Sequence, residues 1–417
     1  MMKKSKDTRF IIIGAGAAGL TAAETLLNKG YTNVIILEKE SFAGGKCRSV
    51  EYEGRSYELG AGIISANNKT IMDLVEIYEV PIKPVVFGQD NLFDLETGGV
   101  CPDTLSFPDK FSFFWQLLLR YHRLLLQFPK VQEPGLAQCE LELFDNFHHW
   151  AKMNNIPLVE DKFERFFTGF GYGYWEEVPA AYTLKYNDWA SLVSYMRRAI
   201  YIFPEGIQGL WKKIADRHKV FYNTSIKRIA RKENVITIDT DKQQLRADVL
   251  MLTCPLEETF CFMDTTKAEA ELFSKIKYTE YITYLCRLEN FPNQTGFIPA
   301  HFSPSKKGHP VFWYKRYTDT NIYTLYVLSD FTVSDAAMFH NIEECISKLG
   351  GSLIKVEQIV KWKYFPHVDT QDMQDGFYPK LESIQGFNNT YYLGELLNFS
   401  TVELSAVYAK NLVERFF

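Results

Sequence analysis

Four apolar residues, Phe10–Ile13, lead straight into Gly14-Ala15-Gly16-Ala17-Ala18-Gly19, and a helix-period apolar stretch from Leu20 to Asn28 follows, closed by Gly30. Strand, tight turn and helix are the local fold this order allows. The first glycine permits the turn, the second lets backbone approach a pyrophosphate, and the third lets helix pack on strand. A second apolar run, Asn33 to Leu37, ends at Glu38, about twenty residues beyond the glycines, where an acid accepts hydrogen bonds from ribose hydroxyls. The spacing completes a βαβ unit that binds a dinucleotide, and the acid favours an unphosphorylated ribose.

At 417 residues the chain is long enough for two or three domains and for a sizeable buried site. Aromatic residues make up 15%, which suits a flat cofactor or an apolar substrate as well as an aromatic-rich core. A net charge of −5 argues against a nucleic-acid partner, because phosphate binding needs a concentrated basic surface. The segment from Met1 to Ile13 is too short for a signal or a membrane span, so the expected location is cytoplasmic. Seven scattered cysteines without a CxxC suggest reduced thiols rather than disulfides or a zinc site.

Further along, a hairpin is expected in Val50 to Glu58, turning at Glu53-Gly54. Residues from about 109 to 200 show helical periodicity, broken by Pro129, Pro134-Gly135 and the aromatic-glycine run Gly169-Phe170-Gly171-Tyr172-Gly173-Tyr174-Trp175. Sheet pattern resumes with Val220 to Asn223, Ser225 to Ala230, Val235 to Thr240 and Asp248 to Leu252. Strands at Tyr281 to Leu288, Val311 to Tyr317 and Ile322 to Leu328 precede a helix near Ile342 to Leu349. A strand at Thr390 to Leu393, a turn at Gly394-Glu395 and a helix from Val402 to Phe417 return to the dinucleotide-domain pattern.

Gly44-Gly45, followed by Lys46 and Arg48, resembles the extended fingerprint of the amine-oxidase-like FAD family, and the late Gly394-Glu395 turn fits the family's returning flavin segment. Phe167-Thr168-Gly169-Phe170-Gly171-Tyr172-Gly173, Val178-Pro179-Ala180-Ala181-Tyr182, Leu184-Lys185-Tyr186 and Tyr364-Phe365-Pro366-His367-Val368 resemble the bacterial polyunsaturated fatty acid (linoleate) isomerases of that superfamily over nearly the whole chain. The resemblance implies an α/β fold. A Rossmann-type FAD-binding domain would be assembled from 1–85, 203–280 and 360–417, a mainly helical cap from 86–202 and a mixed-sheet substrate domain from 281–359. It implies non-covalent FAD held by Gly14, Gly16, Ala17, Ala18, Gly19, Glu38, Lys39, Gly45, Lys46, Arg48, Gly60, Ala61, Ile226, Gly394, Glu395 and Val402. Phe170, Tyr172, Tyr195 and Arg198 would meet a small apolar substrate, a fatty acid.

The family's chemistry lends a hydride from the methylene between two double bonds to the flavin and takes it back elsewhere on the same chain. No side-chain acid or base is strictly needed, and none is assigned a catalytic role here. One departure stands out: where the isomerases present an arginine to the fatty-acid carboxylate, this chain reads Gln89-Asp90-Asn91. Arg197 and Arg198, beside Tyr195, either replace it or are solvated charges.

Other features take plainer readings. His148-His149 lacks metal-ligand spacing, and Lys315 reads as exposed rather than flavin-facing. Phe111 to Phe128 reads as a cap helix rather than a membrane-surface helix, because Arg120, His122, Arg123 and Gln127 interrupt it. Two further readings stand beside isomerisation: an FAD-dependent oxidase or desaturase of an amine, amino acid or other C–H donor, and a flavin- or lipid-binding protein without turnover.

Overall fold

The computed structural model describes residues 4–85, 91–101, 106–232 and 235–417. Its central layer is a five-stranded sheet in the order Lys219–Phe221, Val34–Leu37, Phe10–Ile13, Val249–Leu252, Thr390–Tyr392, parallel throughout. Buried on both faces, its inner strands need not alternate, and they read as near-continuous apolar runs. The helices Ala17–Asn28 and Val402–Phe416 pack against each other beside this sheet, which brings the two ends of the chain into one core. Strand order reverses at Phe10–Ile13, and ligands of open parallel sheets bind beyond the carboxyl ends of strands at such a point. The glycine turn lies there.

A second sheet of seven strands runs Ser352–His367, Lys277–Glu289, Ile322–Ser329, His309–Tyr314, Gly296–Phe297, Asn91–Phe93, Val100–Cys101. Its two faces follow the two-residue period of a strand. Ile282, Tyr284, Cys286, Leu325 and Val327 pack under the helix Asp335–Lys348, whereas Tyr281, Tyr326 and Phe312 turn to the other face. The expected boundaries at 280/281 and 359/360 fall inside single strands of this sheet, and the last two strands at one end of it come from the segment expected to be cap. Lys277–Glu289 and Ser352–His367 run unbroken through those positions.

The helical segment comprises Phe107–Trp115, a π-helical stretch Gln116–Tyr121, His122–Gln127, Phe147–Met153, Pro157–Phe167, Ala180–Tyr186 and Trp189–Met196. The hairpin Ser49–Tyr52 with Arg55–Glu58 forms as expected. Gln244–Ala247 and Ser352–His367 are strands that the sequence pattern did not reveal.

Candidate functional site

The dinucleotide end is built by backbone. A methyl group on Gly19 would lie 2.1 Å from the Gly14 carbonyl oxygen, so only glycine lets the helix start this close to the strand. Gly16 caps that helix without a side-chain bond, leaving the amides of Ala17 and Ala18 available to an anion. The buried Glu38 carboxylate accepts from the Ala15 amide at 2.7 Å and the Glu40 amide at 2.9 Å, which fixes it beside the turn. Lys39 is exposed next to it. The Thr224 amide donates to the Glu38 carbonyl at 2.9 Å, so the strand that begins at Ile226 is held at the same end.

The second glycine pair lies alongside the first. Gly44 donates to the Ala15 carbonyl at 2.9 Å, and Gly16 and Gly44 form a parallel bridge. Lys46 then reaches the third segment: its ammonium is 2.6 Å from Glu395 Oε1 and 5.3 Å from the centre of the Tyr364 ring. The Ala61 amide, just after Gly60, donates to the Lys46 carbonyl at 3.1 Å. Arg48 lies 5.2 Å from the Phe42 ring. The other Glu395 oxygen and the Ser400 hydroxyl are buried without a partner, and the second precedes the helix opened by Val402. Orphaned buried polar atoms beside a glycine cradle fit a polar flat group such as a flavin.

From this end opens a cavity of about 1630 Å³. Its lining takes in Lys46, Gly60, Ala61 and Val402 from the cofactor set and Phe170, Tyr172 and Tyr195 from the substrate set. The wall is a run of stacked rings. Tyr172 lies 5.6 Å from Tyr364, Tyr364 lies 5.4 Å from Tyr281, and Tyr281 lies 5.5 Å from Tyr326, with interplanar angles of 25°, 28° and 19°. The aromatic-glycine run is what brings cap and sheet together. Gly171 has a φ of 88°, and a methyl group there would lie 2.7 Å from the Tyr281 ring. The Tyr281 hydroxyl donates to the Gly169 carbonyl at 2.6 Å. Burial pushes the phenols of Tyr172, Tyr281 and Tyr364 well above their ordinary range, so they stay neutral.

Tyr281, Tyr326 and Phe312 were not anticipated as site residues. Their alternation along strands was legible, but which face meets a cavity depends on the cap packed against them. Arg198 follows the helix Trp189–Met196 with a φ of 56°, is exposed, and is not among the lining residues of the cavity. Gln89 and Asp90 lie outside the described residues, while Asn91 lines the cavity. Lys315 is corrected. It is buried at the cavity wall, where its ammonium donates to the Thr320 carbonyl and sits 3.7 Å from the Tyr323 ring centre, and burial pulls its pKa down to about 8. His148 and His149 are exposed and pair with Glu160 and Asp145, and no metal-holding cluster occurs among the described residues.

The chain is similar over its full length to a solved structure, a CLA-producing fatty acid isomerase from P. acnes, with a TM-score of 0.92 and 30% identity covering 100% of both chains. It is 25% identical to an FAD-dependent oxidoreductase of Apiospora sacchari over 434 residues, 92% of this chain and 87% of the relative. A shorter match, 45% identical over 53 residues, covers 13% of this chain and 11% of a polyenoic fatty acid isomerase of Ptilota filicina. These likenesses bear out the flavoenzyme resemblance carried by the glycine and aromatic-glycine motifs. The model of the flavin-containing amine oxidoreductases matches residues 17–338, and the chain belongs to that family.

Proposed function

We propose that this enzyme is an FAD-dependent isomerase that moves a double bond of a polyunsaturated fatty acid or related lipid. The observation that carries this reading is the stacked aromatic wall running from Tyr364, beside Lys46, to Tyr281 and Tyr326. Non-covalent FAD would lie with its pyrophosphate against Gly14, Gly16, Ala17, Ala18 and Gly19 and its ribose on Glu38, with Lys39 and Ile226 flanking the adenosine. Gly45, Lys46, Arg48, Gly60, Ala61, Gly394, Glu395 and Val402 would hold the diphosphate and flavin. Bound there, FAD would supply a reversible hydride acceptor, the chemistry by which a double bond moves without net oxidation.

The chain's own residues bind and shield. Phe170, Tyr172 and Tyr195 pack an apolar chain and exclude water, and the ring faces of Tyr172, Tyr281 and Tyr364 soften positive charge that develops along it. Neutral phenols fit this task, since the reaction releases no proton and calls for no phenolate base. Anaerobic incubation of the FAD-loaded enzyme with linoleate should raise conjugated-diene absorbance without net bleaching of the flavin. Absence of any new isomer across a panel of polyunsaturated acids would sink the reading. A net oxidase or desaturase is the second reading, favoured by the likeness to the Apiospora sacchari oxidoreductase, and its signature is peroxide release or stoichiometric bleaching.

A further inference from the structure

We propose that the helical segment Phe107–Gln127 docks the enzyme on an anionic lipid bilayer surface. Six large apolar side chains on it, Phe107, Phe111, Phe114, Trp115, Leu119 and Leu126, are 48–84% exposed. The first five fall at i, i+4, i+7, i+8 and i+12, the spacing of a single stripe along a helix. A contiguous apolar stripe of this kind marks an interaction surface.

Charge selects the partner. From 107 to 130 the chain carries Lys110, Arg120, Arg123 and Lys130 against Asp109 alone, although the whole chain is at −5. Phe, Trp and Leu on one side with Lys and Arg flanking them is the composition of a helix that lies in the headgroup region. No helix among the described residues is long and apolar enough to cross a membrane, so the contact is a surface one.

The same segment forms a wall of the cavity. Phe113, Leu117 and Leu125 line it, and Leu126 both lines it and stands exposed. An apolar path therefore runs from the outer stripe to the inner wall. On that path a fatty acid passes from the bilayer to the aromatic stack without crossing water. This delivery role rests on the reading of the cavity as a fatty-acid site, whereas the docking does not.

The test is flotation of the full-length FAD-loaded enzyme with phosphatidylcholine vesicles that contain or lack phosphatidylglycerol, with no turnover measured. The enzyme should float with the anionic vesicles and release in high salt. Phe111→Ser with Trp115→Ser should abolish flotation while flavin absorbance and circular dichroism stay unchanged. Arg123→Glu with Lys130→Glu should weaken it by about five-fold or more per charge. Neither pair lines the cavity. Failure to float at low salt, or flotation indifferent to both pairs, would overturn the proposal. So would a change from dimer to monomer of the lipid-free protein in the Phe111 and Trp115 variant, which would assign the stripe to a second copy of the chain.

Discussion

Gly19 shows how much one hydrogen atom in place of a methyl group decides. Gly19→Ala sets its methyl 2.1 Å from the Gly14 oxygen, and the helix must back away from the strand. Overpacking of this sort costs about 1–3 kcal/mol, and here it falls on the turn that would receive a pyrophosphate. The variant should purify with roughly ten-fold weaker FAD retention, read as the flavin-to-protein absorbance ratio after dialysis. Residues of this kind were legible because spacing alone specifies them. Lys315 and Arg198 were not, since nothing in Trp313-Tyr314-Lys315-Arg316 says that Tyr323 will lie under the ammonium, and nothing around Tyr195 says that the chain turns outward at Arg198.

Among elements, the helix Lys267–Phe273 carries a local signature that the pass along the sequence did not pick out. Thr266 and Glu269 form a capping box, whose three-residue spacing is a local signature. Its partner is remote: Arg231, on the strand Ile226–Lys232, meets both Glu269 oxygens at 2.6 and 2.7 Å in full burial. Arg231→Ala strands that carboxylate and should lower stability by about 3–5 kcal/mol in urea titration. Arg231→Met combined with Glu269→Leu should cost much less, because the one charge left without its partner is that of Asp264, which is partly exposed. The unforeseen strand Ser352–His367 belongs to the same lesson. Lys355, Gln358, Lys361 and Lys363 interrupt its apolar residues, as befits a strand at the edge of its sheet, and only pairing with Lys277–Glu289 shows it to be sixteen residues long.

For the molecule as a whole, acid sensitivity follows from what folding buries. His301 is buried with Nδ1 2.6 Å from the Pro310 carbonyl, and burial pulls its pKa from 6.5 down to about 4. His367 is lowered to about 4 by the same cause. A histidine whose folded pKa is depressed takes up its proton more readily when unfolded, so stability is complete above pH 6.5 and falls as pH drops toward 4. The slope is about 1.4 kcal/mol per pH unit for His301 in that window. Urea midpoints should therefore decline between pH 7 and pH 5, and His301→Asn should flatten the decline.

The cofactor end was readable from the chain itself, because strand, glycine turn, helix and acid are neighbours in sequence and their chemistry is backbone geometry at fixed spacing. Resemblance carried that reading to a flavoenzyme family, and the family match bears it out. The cavity was not readable. It arises where Gly171 lets the cap lie on Tyr281, where Lys46 meets Glu395 across 349 residues, and where strands from distant segments close one sheet. Alternation along a strand tells which residues share a face, but what covers that face is set by packing between segments that sequence periodicity does not couple. Only the tertiary structure decides that.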